Sequence, residues 1–155
     1  MQVLEKFNIR VYGILIDERK RVLVSDEYVR GNYFTKFPGG GLELGEGTRD
    51  CLKREFKEET GLDVTINNHI YTTDFFQQSA FKSSEQIISI YYTVSCNNLS
   101  NLKTSITPFD LSTEITNNPN AAGESFRWLE WDEFSKDSVH LPIDKIVADL
   151  LKKQV

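Results

Sequence analysis

The sequence predicts a single domain of the α+β class over residues 1–155, with a mixed β-sheet covered by helices on both faces. Runs of branched and aromatic residues are intermixed with amphipathic segments, a pattern typical of strands and helices that share one core. Six of the nine glycines lie between Gly39 and Gly61, so backbone freedom is concentrated around one predicted helix. With 39% hydrophobic and 26% charged residues, a chain of this length can bury a sizeable core.

The N-terminal part predicts two strands followed by a loop. Residues 8–16 and 22–24 are rich in branched and aromatic side chains and flank a charged turn, which favours a β-hairpin. Residues 25–36 have no clear period. We therefore expect a loop there, carrying Tyr33 and Phe34.

The clearest helix is predicted over residues 48–60. Thr48 is an acceptable N-cap, and Gly61 supplies the left-handed residue that commonly ends a helix. One face is apolar and the opposite face is strongly charged. The apolar residues that recur at helical spacing are Cys51, Leu52 and Phe56.

The central part of the chain predicts two further strands and a long loop. Residues 63–76 and 86–96 have the branched and aromatic content of strands, and residues 77–85 form their polar connection. Residues 97–123 are dominated by Asn, Ser and Thr. Their length indicates a functional or partly disordered loop.

The C-terminal part predicts a short strand at 126–131, a helical turn from Asp132, and an amphipathic helix over 142–153. Pro142 stands where the first helical turn tolerates proline. The predicted apolar stripe of this helix consists of Ile143, Ile146, Val147, Leu150 and Leu151.

Charge and composition exclude several classes of function. A net charge of -5 argues against binding a nucleic-acid duplex, because such affinity rests on Lys and Arg that neutralise phosphates. Two cysteines are too few for a secreted disulfide framework, so we expect a cytoplasmic protein. The sequence contains no run of 18 apolar residues, so it predicts no membrane-spanning helix. A homodimer is compatible with these observations.

The charged face of the 48–60 helix predicts a metal site. Glu55, Glu58 and Glu59 fall within an arc of about 100° on one side. Like charges at this spacing cost about 0.2–0.5 kcal/mol per pair, which a divalent cation would offset. Magnesium prefers carboxylate and phosphate oxygens. The alternative reading of these three residues alone is a solvated acidic face.

The residues around this helix decide between the two readings. The run consists of Gly40, five residues, Glu46, seven residues, Arg54-Glu55, Phe56, Lys57, Glu58-Glu59, Thr60, Gly61 and Leu62. It resembles the Nudix box, Gly-x5-Glu-x7-Arg-Glu-U-x-Glu-Glu-x-Gly-U with U apolar, at every specified position. The sequence is thus similar to the Nudix hydrolase family. The resemblance implies a Nudix fold, a mixed sheet sandwiched between helices, and hydrolysis of a nucleoside diphosphate linked to another group.

The resemblance also implies roles for single residues. Glu55, Glu58 and Glu59 match the family's metal-binding carboxylates, with Mg²⁺ as cofactor and Mn²⁺ as a substitute. Arg54 matches the arginine that holds the neighbouring glutamate in place. Glu46 matches a position that supports the ligands or is occasionally a ligand itself, and a structural role is an almost equally good explanation.

Residues near the box complete the predicted site. Gly39 and Gly40 let the main chain approach metal or phosphate, and for Gly40 turn geometry is an equally good explanation. Family members often add a carboxylate from outside the box, for which Glu124 is the first candidate, with Glu85 and Glu114 next. Aromatic side chains in predicted loops could stack a nucleobase. These are Tyr33, Phe34 and Phe81.

Two classes of function are weighed for this sequence. One is a magnesium-dependent pyrophosphohydrolase acting on a nucleoside triphosphate, ADP-ribose or a sugar nucleotide. The other is a catalytically silent Nudix domain that binds a nucleotide and regulates a partner. The complete set of charged box positions favours the enzyme. The box leaves open the substrate, the number of ions and the glutamate that serves as base.

Overall fold

The computed structural model describes residues 3–154, which form seven strands and three α-helices. The strands are β1 (Lys6–Leu15), β2 (Arg21–Val29), β3 (Asn32–Lys36), β4 (Gly39–Gly41), β5 (Thr65–Thr72), β6 (Glu85–Ser95) and β7 (Ala122–Glu130). The helices are α1 (Thr48–Thr60), α2 (Thr113–Thr116) and α3 (Pro142–Lys153), with a 3-10 turn at Lys136–Ser138. The α+β class is confirmed.

The strands divide into two sheets. A four-stranded mixed sheet has the order β4-β1-β6-β5, in which β1 runs parallel to β6 and antiparallel to β4. A three-stranded antiparallel sheet has the order β3-β2-β7. The predicted hairpin of the first two strands is therefore wrong, because β1 and β2 belong to different sheets and share only the bridge between Ile16 and Val22.

The four-stranded sheet lies between two helices, as predicted. Val11 and Leu15 of β1 pack with α1 in one buried cluster. Tyr12 and Ile14 point to the opposite face and pack with α3 in a second cluster. This alternation follows the two-residue period of a strand, so a single strand contributes to both cores.

Both long helices have the predicted bounds. In α1, Gly47 rather than Thr48 takes the N-cap position, and Gly61 ends the helix at φ 76°. In α3 the buried face differs from the predicted stripe. Ile146 is exposed, whereas Asp144 is buried and accepts hydrogen bonds from the Tyr91 hydroxyl and the Phe37 N–H.

The predicted loop at residues 25–36 is wrong. Its first half continues β2 to Val29, and its second half forms β3. Polar residues hide this sheet from a periodicity analysis because they are buried with distant partners. Asp26 is fully buried and accepts hydrogen bonds from Arg127 Nε at 2.7 Å and Thr35 Oγ1 at 2.7 Å.

The long polar segment is more ordered than predicted. It contains the single turn α2, and β7 begins at Ala122 instead of residue 126. As a result, Glu124 lies in a strand. No helix within residues 3–154 has the length and apolar character needed to cross a membrane.

Candidate active site

The glycine-rich segment and the acidic helix lie side by side. The short strand β4 pairs with the middle of β1, where Gly40 faces Val11 and Gly41 faces Arg10. Six residues after β4, helix α1 begins and packs against β4, β1 and β5. The chain thereby places the first turns of α1 beside the main chain of β4.

Arg54 organises the carboxylates of this segment. Its guanidinium binds Glu46 in a bidentate manner, with Nε 3.0 Å from Oε2 and NH2 2.7 Å from Oε1. The NH1 group donates to Glu55 Oε1 at 2.9 Å, and NH2 also donates to the Gly41 carbonyl at 3.0 Å. A longer bond of 3.3 Å reaches the exposed Glu58. The fixed fork of arginine suits this multiple contact.

Glu46 is ionised because of this contact. The hydrogen bonds from Arg54, together with the Glu43 N–H, hold the pKa of Glu46 at about 2. All the donors of Glu46 belong to the box segment itself. This arrangement favours a supporting role for Glu46 over metal ligation.

Gly40 makes room for the Glu55 carboxylate. A Cβ placed on Gly40 would lie 2.5 Å from Glu55 Oε2 and 2.6 Å from Oε1, closer than any real contact. The Glu55 carboxylate therefore rests directly on the main chain of β4. This contact explains the glycine at position 40 better than turn geometry does.

Glu59 is the most deeply desolvated box carboxylate. Burial raises the pKa of Glu59 to about 8, against the effect of Lys36 and with the help of Glu124 and Glu55. Among the side chains of residues 3–154, only Glu59 Oε2 is a buried polar atom that lacks a hydrogen-bond partner. A buried acceptor without a partner is costly, so this atom calls for a cation or a donor.

Glu124 joins the box carboxylates from the three-stranded sheet. It lies opposite Glu27 in the β2–β7 register, so that both side chains are on the same face. Partial burial and the Glu27 charge raise the pKa of Glu124 to about 7. The other two candidates lie elsewhere: Glu85 pairs with Lys6 at the start of β6, and Glu114 lies in α2.

Sequence reasoning missed Lys36 and Glu27. Lys36 ends β3 and is 4% exposed, and its Nζ lies 2.9 Å from Glu27 Oε2. Burial alone would lower the pKa of Lys36, but Glu27, with Tyr12 and Glu59, raises it above its ordinary value. The only local signal was a lysine directly before the Phe37-Pro38-Gly39 segment, within a stretch that looked like a loop.

A cavity of about 700 Å³ opens beside these residues. Arg10, Glu27 and Lys36 line it near the carboxylates, and Phe34 and Phe81 line it with ring centroids 5.2 Å apart. The volume lies in the range typical of small-molecule sites. Tyr33 is not among the lining residues of the described structure, since it packs against Tyr28 and Phe109.

The donor set fits a hard divalent cation, although it is not arranged around one. Carboxylate oxygens, a desolvated Glu59 oxygen without a partner and the close approach of β4 are suited to magnesium. Within residues 3–154, no three acidic, histidine or cysteine side chains converge as a ready-made metal cluster. Arg54 contacts one carboxylate oxygen of Glu55 and one of Glu58, so the second oxygen of each carboxylate has no bond to Arg54.

Comparison with known proteins identifies the family. The NUDIX domain family matches residues 6–150, and the chain therefore belongs to the Nudix hydrolase family. Over 55 residues it is 36% identical to the 8-oxo-dGTP diphosphatase of Proteus vulgaris, a match that covers 34% of this chain and 49% of that protein. The match thus spans about half the length of this curated relative.

Solved structures show the same fold. The MutT protein from Methanosarcina mazei Go1 superposes with a TM-score of 0.68 at 14% identity, covering 99% of this chain and 98% of that one. The MutT protein from Bacillus halodurans gives a TM-score of 0.59 at 22% identity, with coverages of 90% and 78%. Both likenesses concern the fold alone.

Proposed function

We propose that this protein is a magnesium-dependent pyrophosphohydrolase that cleaves a nucleoside diphosphate linked to another group. The observation that carries the proposal is the buried Glu59 oxygen without a partner. Glu55, Glu124 and Lys36 act on Glu59 electrostatically, and Lys36 lines a ligand-sized cavity. A catalytic cation would satisfy this atom. An acidic face exposed to solvent would leave no such oxygen buried.

The proposed metal ligands are Glu55, Glu58, Glu59 and Glu124. A contact between the metal and the main chain of Gly40 stays a prediction. Magnesium, or manganese in its place, would supply positive charge against the charge that develops on the phosphate oxygens. Arg54 fixes Glu55 by the 2.9 Å bond, and Glu46 fixes Arg54 in turn. One of the glutamates accepts the proton of the attacking water.

The cavity is the proposed site of the remaining part of the substrate. Phe34 and Phe81 offer an apolar wall for a base, while Arg10 and Lys36 give positive charge at the carboxylate end. Gly39 and Gly40, the other proposed substrate contacts, pair with Tyr12 and Val11 of β1, and Tyr12 lines the cavity. Because the relative from Proteus vulgaris is named for 8-oxo-dGTP, oxidised nucleoside triphosphates are the first substrates to test.

The test is a screen with magnesium over 8-oxo-dGTP, ADP-ribose, a sugar nucleotide and a dinucleoside polyphosphate, in which chromatography measures the nucleotide products and a coupled assay measures the phosphate or pyrophosphate released from the triphosphate. We expect turnover of at least one compound, loss of turnover with EDTA, and loss in Glu59→Gln while the circular dichroism spectrum is unchanged. If the purified wild type binds these nucleotides and hydrolyses none, the silent regulatory class replaces this proposal.

A further inference from the structure

Lys36 occupies the junction between the cavity and the carboxylates. Its side chain is buried, yet it lines the cavity together with Glu27 and Tyr12. The Nζ group lies 5.1 Å from the centroid of the Tyr12 ring. A lysine in such a place is either a substrate contact or a group that holds other groups.

The hydrogen bonds of Lys36 decide between these roles. An ammonium group has three donors, and Nζ contacts three acceptors: Glu27 Oε2 at 2.9 Å, the Phe37 carbonyl at 3.0 Å and the Gly39 carbonyl at 3.5 Å. Every donor is therefore engaged within the protein. These three contacts fix the Lys36 side chain and, in turn, the positions of its partners.

These partners belong to both walls of the site. Glu27 lies opposite Glu124 on the three-stranded sheet, and Ser25 Oγ donates to the same Glu27 oxygen at 2.9 Å. The Phe37 carbonyl belongs to the connection that leads into β4, and the Gly39 carbonyl belongs to the first residue of β4, directly before Gly40. Lys36 thus ties the Glu27–Glu124 wall to the main chain against which Glu55 rests.

We propose that Lys36 is a positioning residue for hydrolysis: it fixes Glu27 and the 37–39 main chain relative to one another and places one internal cation beside Glu59 and Glu124. The inference rests on the proposed function. A buried ion pair is by itself weak support for stability, since apolar pairs often replace such pairs without loss. Here Lys36 has contacts beyond its ion-pair partner, because Nζ also donates to the Phe37 and Gly39 carbonyls. Its charge also acts on Glu59 and Glu124, whose pKa values it lowers.

The test is a double-mutant cycle with Lys36→Met, Glu27→Gln and the combined variant. Kinetics are measured with magnesium and 8-oxo-dGTP, with ADP-ribose as a second probe. We expect Lys36→Met to lower kcat about 10- to 100-fold, as for groups that orient metal ligands, with a much smaller change in KM. The combined variant stays low, because neutralising Glu27 does not restore the contacts to the 37–39 main chain.

A wild-type kcat in the combined variant would overturn the inference, since Lys36 would then serve only to neutralise Glu27. The combined variant also carries the test if Lys36→Met alone leaves Glu27 uncompensated and does not fold. The matched control is Asp17→Asn with Arg21→Met, which removes a partly buried ion pair of 2.7 Å at the β1–β2 turn. We expect its kcat to match the wild type.

Hydrogen exchange of the backbone at residues 37–41 gives a readout that does not depend on activity. We expect faster exchange in Lys36→Met and in the combined variant, and unchanged exchange in the control. If the wild type hydrolyses no compound of the four-substrate screen, the proposed function fails while this readout still decides the role of Lys36. Unchanged exchange in both Lys36 variants would then overturn it.

Discussion

Glu55 shows how a single side chain is placed by contacts from two sides. Arg54 holds one carboxylate oxygen at 2.9 Å, and the absence of a Cβ on Gly40 leaves space for the carboxylate as a whole. Neither contact requires a bound ion. The position of Glu55, a proposed ligand, is therefore partly set without any cation, which would lower the cost of assembling a metal site.

Gly40→Ala is expected to lower kcat with little effect on folding. The new methyl group would meet Glu55 Oε1 at 2.6 Å, and the carboxylate must move because the β4 main chain is fixed by pairing with β1. Misplacing a ligand costs about 10- to 100-fold in activity. Steady-state kinetics with magnesium and thermal denaturation measure the two effects.

Gly41→Ala is the matched control for that variant. A Cβ on Gly41 meets only Arg10 NH1 at 3.6 Å, an ordinary contact, and its carbonyl bond to Arg54 is retained. Equal losses of kcat in both variants would mean that β4 tolerates no side chain at all, and the specific contact with Glu55 would lose its support.

At the scale of elements, local pattern predicted α1, α3 and the start of β2, and failed for the rest of β2 and for β3. Each of these helices carries its own signal in the sequence: Gly61 ends α1, and Pro142 begins α3. Strands β2 and β3 bury Asp26 and Lys36, whose charged partners Arg127 and Glu27 come from other strands. A buried charge is recognisable only when its partner is known.

The same reasoning explains which part of the site could be predicted. Arg54, Glu55, Glu58 and Glu59 lie within one helix, so spacing alone brings them together. Glu124 and Glu27 are placed on the same face by the strand register. Tyr33 is directed away from the cavity, because the side chains of β3 alternate between the two faces of the sheet. Strand register depends on the whole sheet, which the local sequence does not specify.

Gly61→Ala tests how the end of α1 supports the site. Gly61 adopts φ 76° and its N–H bonds to the Lys57 carbonyl. Alanine in this left-handed conformation costs about 1–2 kcal/mol, so the urea midpoint should fall by that amount divided by the m-value. Gly61→Asn should lose less, because asparagine tolerates this conformation better. Equal stability of wild type and Gly61→Ala would show that the helix end rearranges freely.

At the scale of the whole molecule, the carboxylates of the candidate site come from the two sheet layers, which are otherwise joined by few strand contacts. Glu55 and Glu59 come from α1, which packs on the four-stranded sheet, whereas Glu27 and Glu124 come from the three-stranded sheet. Lys36 joins the two groups in the protein without metal. A cation bound between them would bridge the two sheets and stabilise the molecule as a unit.

Magnesium is therefore expected to raise the melting temperature, and to raise it more at pH 9 than at pH 6. The pKa of Glu59 is about 8 in the folded protein and about 4.5 ordinarily, so the folded state without metal holds a proton that the unfolded state releases. Without metal, the contribution of Glu59 to stability is thus fully present below pH 4.5 and is lost as the pH rises towards 8. Magnesium must displace that proton at pH 6 and meets no such competition at pH 9.

An ion at 100 times its Kd contributes about 2.7 kcal/mol, or several degrees in a chain of this length. Calorimetry at both pH values measures the shift, with Glu59→Gln as the control in which the pH dependence should shrink. A shift of equal size at both pH values would place the ion away from Glu59.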